Sequence, residues 1–340
     1  MAFLRFLMSR MLVTIPLLIG ISIATFLIMT AIPGDYIDSW IGRTAGQTGQ
    51  SRADLLPQAE ALRVRLGLDQ PLPIQYWVWI KNIVFAGDFG QSFVHHRPVS
   101  EVIGLRFWRS IGIAVVTLVF GQSIGIFLGI YAATNQYKLG DTVATLIAFV
   151  GIVVPKFVIA LVLLYLLAFV WHSPYIGALY TPEFQVQEHM SLAKLWNMFL
   201  HVWPILFVSI WAGQAYTTRM MRGNLLDVMN AQYIETARAK GLGRRSVLFK
   251  HAVPNALHPV VMNMGSRFDY MIKGEIEIAL VLGIPTLGPL IISSVTERDL
   301  YVVSAVFLLV SVLLVIGNLL ADIILALIDP RVRRSTMVGS

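Results

Sequence analysis

Apolar residues in this chain come in long uninterrupted runs, not in the short alternations of a half-buried strand or the one-sided spacing of a surface helix. The clearest run is Met11 to Ile32, uncharged, preceded by Arg10 and followed by Pro33-Gly34-Asp35. Ser110 to Ala133 is also uncharged, Thr142 to Trp171 is apolar around Pro155-Lys156, and Leu200 to Gln214 is shorter. A stretch from about Pro254 to Ile284 is interrupted by charge, and Val302 to Ile328 carries only Asp322. A helix needs about 20 residues to cross roughly 30 Å of hydrocarbon, so about six transmembrane helices are expected, the fifth being the weakest by hydropathy. A membrane barrel would show short alternating segments instead. The first run is expected to persist as a helix. A signal peptide has an apolar region of about 7–15 residues ending in a small-x-small site, and Met29-Thr30-Ala31 is a poor one.

Composition agrees with an all-α polytopic membrane protein. The 340 residues are 56% hydrophobic and 13% charged, with a mean hydropathy of +0.71, where soluble chains carry about 25% charge. That excludes disorder, collagen, coiled coil and a conventional cytosolic enzyme. The absence of cysteine excludes disulfides, thiolate metal sites and cysteine nucleophiles. Basic residues exceed acidic ones, 26 to 19, and their placement decides what the surplus means. Thr218 to His251 holds Arg219, Arg222, Arg238, Lys240, Arg244, Arg245 and Lys250 against Asp227 and Glu235. Arg5 and Arg10 precede the first run, and Arg331, Arg333 and Arg334 follow the last, whereas Pro33 to Arg109 is nearly balanced. With six spans, both termini and the basic loop share one side, which the positive-inside rule makes cytoplasmic.

Three regions follow: 1–32, a cytoplasmic amino terminus and the first span; 33–109, an external lobe; and 110–340, a five-helix core with a cytoplasmic loop over 218–252. The lobe is expected to be small and mainly helical, since Leu62 to Leu66 and Tyr76 to Phe85 have helical spacing around Gly67-Leu68-Asp69-Gln70-Pro71-Leu72-Pro73. A flexible loop is the alternative, and Tyr76, Trp77 and Trp79 also suit an interfacial aromatic belt.

No G-x-x-x-x-G-K-[S/T] phosphate cradle, G-x-S-x-G or H-E-x-x-H occurs, so ATP hydrolysis by this chain alone is not expected. The adjacent His95-His96 reads as solvated and not as a metal site. Charges in or near spans weigh more, because they are costly there and usually functional. Lys156, Arg267, Asp269, Lys273, Glu275, Glu277 and Asp322 fall in this class. One reading is an ion relay. The other makes Arg267 to Glu277 the wetted, pathway-facing part of the fifth segment, with Asp269 and Lys273 paired four residues apart. Lys156 snorkels or faces a hydrated cavity. In the basic loop, Asn230 suits the cap of a helix that Gly241 ends in left-handed geometry, and a second helix runs to Pro254. Such a helix–turn–helix fits either a docking surface for a soluble partner or a basic face on anionic lipid.

That segment resembles the cytoplasmic signature of ABC-importer permeases: Glu-Ala-Ala, three residues, Gly, nine residues, Ile-x-Leu-Pro. Here it reads Glu235-Thr236-Ala237, Gly241, then His251-Ala252-Val253-Pro254, with Thr236, His251 and Val253 departing in type. The wording from Thr236 to Leu242, and Pro254-Asn255-Ala256-Leu257, is similar to the dipeptide/oligopeptide/nickel branch. Further likenesses are Gly67 to Leu72 with Tyr76, Gly87-Asp88-Phe89-Gly90-Gln91-Ser92, Arg298-Asp299, Asn318 with Asp322, and Asp329-Pro330-Arg331. The lobe resembles that of the first of the two permease subunits in such systems. A departure lies near the outer end of span five. Ala279 stands where the family has an acidic residue, and Leu282 and Pro285-Thr286-Leu287-Gly288 replace its Phe-x-x-Pro-Gly-x-Gly.

The resemblance implies a type I importer permease in a bacterial or archaeal cytoplasmic membrane. Its partners would be a second homologous permease, two ABC ATPases that bind ATP and magnesium, an extracytoplasmic substrate-binding protein and membrane lipid, with no nucleic acid. This chain would hold no cofactor, metal or catalytic residue. Glu235, Thr236, Ala237, Arg238, Lys240, Gly241 and Pro254 would form the ATPase-coupling loop, with Ala237 small enough for close approach. Di- or oligopeptides are the expected cargo; oligosaccharides, opines and metal chelates are the alternatives. An ion-coupled secondary transporter and a membrane-anchored receptor are the rival classes.

Overall fold

Proline and glycine set the element boundaries, and the apolar runs between them are helical. The computed structural model describes residues 2–31, 36–65, 67–92, 94–187, 189–263 and 275–328. Among these the secondary structure is helical, apart from one isolated antiparallel bridge between Gln91 and Pro98. The first half contains α1 (Ala2–Ala31), α2 (Tyr36–Thr48), α3 (Arg52–Arg65), α4 (Leu72–Lys81, ending in a wider π turn Asn82–Ala86) and α5 (Val99–Thr134). There follow α6 (Leu139–Val153), α7 (Lys156–Tyr165, with a π turn Leu166–Val170), α8 (Pro182–Gln185), α9 (Leu192–Met229) and α10 (Gln232–Ala239). The remainder is α11 (Arg244–Ser246, running into a π turn Val247–Ala252), α12 (Val253–Met262), α13 (Glu275–Leu282), α14 (Leu287–Thr296) and α15 (Leu300–Ile328).

Helices α5, α9 and α15 are each long and apolar enough to cross a membrane, and α1 carries the apolar segment Leu12–Ile28. The third run, expected as a single span, is bent, and the fifth, expected to end near Ile284, is followed past a second bend by a further apolar helix to Thr296. Between α6 and α7 the axis turns by 99°, and between α13 and α14 by 83°. The first bend follows from Pro155. A residue before proline is pushed out of helical geometry, and Val154 takes φ −81°, ψ 123°. The second lies at Gly283, whose φ of +67° only glycine adopts freely, and where a Cβ would come within 3.0 Å of Gly177. The fourth run is only the middle of the 38-residue α9.

The described residues fall into two compact units: Met11–Leu105 with Ile291–Val312, and a second built chiefly on Arg106–Leu290. In the second, α9 is the helix around which the others pack. Glycines four apart on α5 let it approach closely: a Cβ at Gly125 would sit 2.7 Å from Thr217, and one at Gly129 would sit 2.6 Å from Met221. On α6, a Cβ at Gly151 would meet Ala215 at 3.0 Å, and Trp211 Nε1 donates to the Ile147 carbonyl at 3.0 Å. A two-pronged ion pair adds to this contact, Arg222 Nε and Nη2 reaching the Asp141 carboxylate at 2.7 and 2.8 Å. Asp141 also accepts from the Tyr137 amide and the Thr145 hydroxyl, so its charge is well partnered. Leu146, Phe127 and Val162 stay exposed on the outside of these helices, as an acyl-chain environment requires.

In the first unit, α2 and α3 pack through Ile37, Ile41, Leu55 and Ala59. Helix α4 packs on α1 and α15 through a cluster that joins Phe26, Trp79 and Leu308.

Candidate functional site

The cytoplasmic signature folds as a short helix presented on a hydrophobic seat. Helix α9 continues to Met229, so Asn230 closes that helix and does not open the next one. The expected capping role falls to Ala231, whose extended backbone starts α10 without a side-chain acceptor. At the other end the reading from sequence holds. Gly241 has φ +77°, its amide donates to Arg238 O at 2.9 Å, and the Leu242 amide reaches Ala237 O at 3.4 Å. These two bonds form a Schellman motif that ends α10 abruptly.

Helical periodicity then sorts the signature residues into two faces. Ile234 and Ala237, three apart, are buried, and they pack among Met221, Leu225, Val247, Ala252, Val253, Ala256 and Val260. Glu235, Thr236, Arg238, Lys240, Gly241 and Pro254 are exposed. The small side chain of Ala237 allows close approach, here to this chain's own hydrophobic cluster. Arg238 Nη2 reaches back to the Met229 carbonyl at 3.4 Å, and Asn224 Nδ2 joins α9 to the Ala256 carbonyl at 3.3 Å. The second helix does not stop at Pro254. A π turn over Val247–Ala252 leads directly into α12, and Pro254 sits in the first turn of α12.

Of the pathway residues, Arg267, Asp269 and Lys273 lie outside the described residues, as does the side chain of Asp322. Glu275 and Glu277 open α13. Glu277 is exposed, whereas Glu275 is 4% exposed and accepts no hydrogen bond among the described residues. One turn further on, the same face carries Ala279, fully buried with Ile278, Leu282, Ile205 and Val208. The carboxylate of this face thus stands one turn upstream of the family position. Thr286 replaces a glycine without strain, because its φ is not positive, while Gly288 is required: a Cβ there would lie 2.6 Å from the Ile276 backbone. Arg109 and Ser110 of α5 bind this turn at Pro285 O and the Leu287 amide, at 3.4 and 3.0 Å. Lys156, at the start of α7, is half-buried and takes part in an interaction.

Two features were not foreseen. Helix α9 buries a polar row, Lys194, Asn197 and His201, and lower down Gln214, Thr217 and Thr218. Asn197 holds Thr181 through its amide and hydroxyl at 3.0 and 3.2 Å, Lys194 donates to the Gln187 carbonyl, and Thr217 donates to Gln122 at 2.9 Å. Polar residues at helical spacing inside an apolar stretch were the available signal. Secondly, two motifs 207 residues apart meet. The Ser92 hydroxyl donates to the fully buried Asp299 at 2.5 Å, and the Val94 amide adds a bond at 3.3 Å. Gly90, at φ +88°, lies against Tyr301, where a Cβ would clash at 2.7 Å. The loops before α5 and α15 therefore meet. His95 and His96 are exposed on this hairpin, and among the described residues no cluster of acids and histidines is placed to hold a metal.

Residues 125–334 match the family described as "Binding-protein-dependent transport system inner membrane component", and residues 3–114 match "Binding-prot-dependent transport system membrane comp, N-term". The chain is 34% identical to the oligopeptide transport system permease protein AppB of Bacillus subtilis, over 96% of this chain and 98% of that one. It is 33% identical to the glutathione transport system permease protein GsiC of Escherichia coli K12, over 97% and 99%. A solved crystal structure of an amino acid ABC transporter with histidines aligns at a TM-score of 0.42 and 17% identity, over 66% of this chain and 90% of that one.

Proposed function

The chain belongs to the family of binding-protein-dependent transport system inner membrane components, and from that premise we propose that it forms one half of an importer's pore for di- or oligopeptides. It is a permease subunit, and ATP is hydrolysed by separate subunits of such importers. Peptide cargo is favoured because the relatives named above carry oligopeptides and glutathione. The other half of the pore is a second, homologous permease. Two ATPases, holding ATP and magnesium, sit on the cytoplasmic side, and an extracytoplasmic binding protein delivers the cargo to the lobe side. Both termini and α10 face the cytoplasm, in keeping with the basic residues from Arg219 to Lys250.

The observation that carries the mechanism is the pose of α10. Its inner face is clamped by Ile234 and Ala237, and its outer face offers Glu235, Thr236, Arg238 and Lys240. Seated in an ATPase cleft, such a helix transmits a displacement that a loose loop would absorb. The push passes through Met221 and Leu225 into α9, and through Val253 and Ala256 into α12, which leads to the fifth segment. ATP-driven closure thereby alternates access to the path beside α13. Ala279 is packed in the core behind this path, and the exposed Glu277 is the charge that α13 offers to it.

Co-purification of the tagged chain from its native membrane, followed by reconstitution, tests this reading. Recovery of a second permease and one or two ATPases, with ATP-dependent peptide uptake in the presence of the binding protein, is expected. A chain that purifies alone and moves solute without ATP would overturn it in favour of ion-coupled transport.

A further inference from the structure

Helix α4 and its π turn are apolar on two opposite faces. One face, Tyr76, Trp79, Ile80 and Ile83, has the spacing of a packed helix and is used within the protein. Tyr76 and Trp79 lie against Phe26 of α1 at ring-centroid distances of 5.6 and 5.8 Å, and the Tyr76 hydroxyl bonds to buried Ser22 at 2.8 Å. Leu308 of α15 completes the cluster. The other face carries Ile74, Trp77, Val78, Val84 and Phe85, all exposed, with Trp77 at 61% and Phe85 at 80%. A helix apolar all round is at home in a protein interior or in lipid, not in water.

The depth of the packed face tells the two apart. Helix α1 ends at Ala31, at the close of the apolar run and just before Pro33-Gly34-Asp35, which sets the membrane boundary on the lobe side. Phe26 and Ser22 lie five and nine residues below it, about 8 and 14 Å at the helical rise. Leu308 is eight residues into α15, or about 12 Å. The partners of α4 are thus well inside the spanning part of α1 and α15. Backbone groups at both ends of α4 are bonded within the element. The Ile74 and Gln75 amides return to Pro71 O, the Gln75 side chain closes onto Gln70 O at 2.7 Å, and the Gly87 and Asp88 amides cap the π turn on Ile83 O and Asn82 O. Lys81, the one charge on the exposed face, lies between Val78 and Val84, and its long stem can carry the ammonium to the headgroups.

We propose that α4, from Leu72 through Ala86, is embedded in the leaflet on the lobe side, and that lipid acyl chains cover its second face as a continuation of the lipid-facing surface of α1 and α15. The first span and the lobe are then joined through the bilayer, and this element's packing responds to lipid composition. Absence of cysteine makes the test direct, since a single introduced thiol is the only one in this chain. Trp77→Cys, Val84→Cys and Phe85→Cys, each spin-labelled in the complete importer, are reconstituted in phosphatidylethanolamine/phosphatidylglycerol vesicles. Val13→Cys on α1 serves as the lipid reference and Gln58→Cys on α3 as the water reference. Collisions with dissolved oxygen should exceed those with a water-soluble nickel chelate at all three positions, as at Val13→Cys. Nickel access at the level of Gln58→Cys would place the face in water. Low access to both reagents would place it against a protein subunit. Either result overturns the proposal.

Discussion

Replacing Ile234 by alanine should separate ATP hydrolysis from transport. Ile234 is fully buried and is the one large side chain by which α10 is seated; the other buried residue of α10 is Ala237. Truncating such an isoleucine removes its transfer free energy and leaves a cavity, together about 2–5 kcal/mol. An eight-residue helix has little stability by itself. A loss of about 3 kcal/mol raises the undocked fraction of α10 roughly a hundredfold, at about 1.4 kcal/mol per factor of ten. The assay is the ratio of peptide taken up to ATP hydrolysed in proteoliposomes holding the complete importer. ATP hydrolysis is expected to continue while the ratio falls several-fold. Ile234→Val, costing about 0.5–1.5 kcal/mol, should fall in between. If the alanine variant assembles fully and keeps the unaltered ratio, the seat of α10 does not carry the coupling, and the reasoning fails.

Three further outcomes are expected. Arg222→Ala should leave a buried Asp141 charge without its main partner, costing about 3 kcal/mol, and a double-mutant cycle with Asp141→Ala should return a coupling energy of that order; near-zero coupling would show the pair to be incidental. Gly129→Leu should force α5 away from α9 and abolish recovery of folded protein by size-exclusion chromatography, whereas Gly223→Ala, which meets nothing within 4 Å, should be recovered normally. Asp299→Ala should leave the Ser92 hydroxyl and Val94 amide without their acceptor, at about 1–3 kcal/mol, and hydrogen exchange across residues 91–99 should quicken; unchanged exchange would mean that the hairpin is held by other contacts.

How much of this was legible in the sequence depends on whether the signal was local. The all-α membrane class followed from run lengths, and the end of α10 from a glycine placed where left-handed geometry was needed. Facing was harder. In a soluble protein Ile205 and Phe207 would differ in polarity according to whether they face core or solvent. Here one is fully buried and the other 44% exposed, and both are apolar because lipid is apolar too. Ala237 is limited in a related way: its smallness signals a close approach, and sequence does not say to what. The bend at Pro155 was visible as a proline but not as a 99° turn. The Ser92–Asp299 bond was out of reach, since no local pattern joins residues 207 apart, although both motifs had been noted separately.

The coupling role of α10 turns on which partner its exposed face meets. In the otherwise cysteine-free chain, Arg238→Cys carrying a thiol-linked photoreactive group is irradiated in the assembled importer, with Gln58→Cys on α3 as the comparison. An adduct between the Arg238→Cys site and an ATPase subunit, absent from the lobe position, is the predicted result. An adduct with the binding protein, or labelling of that cysteine by an impermeant maleimide added outside, would contradict it.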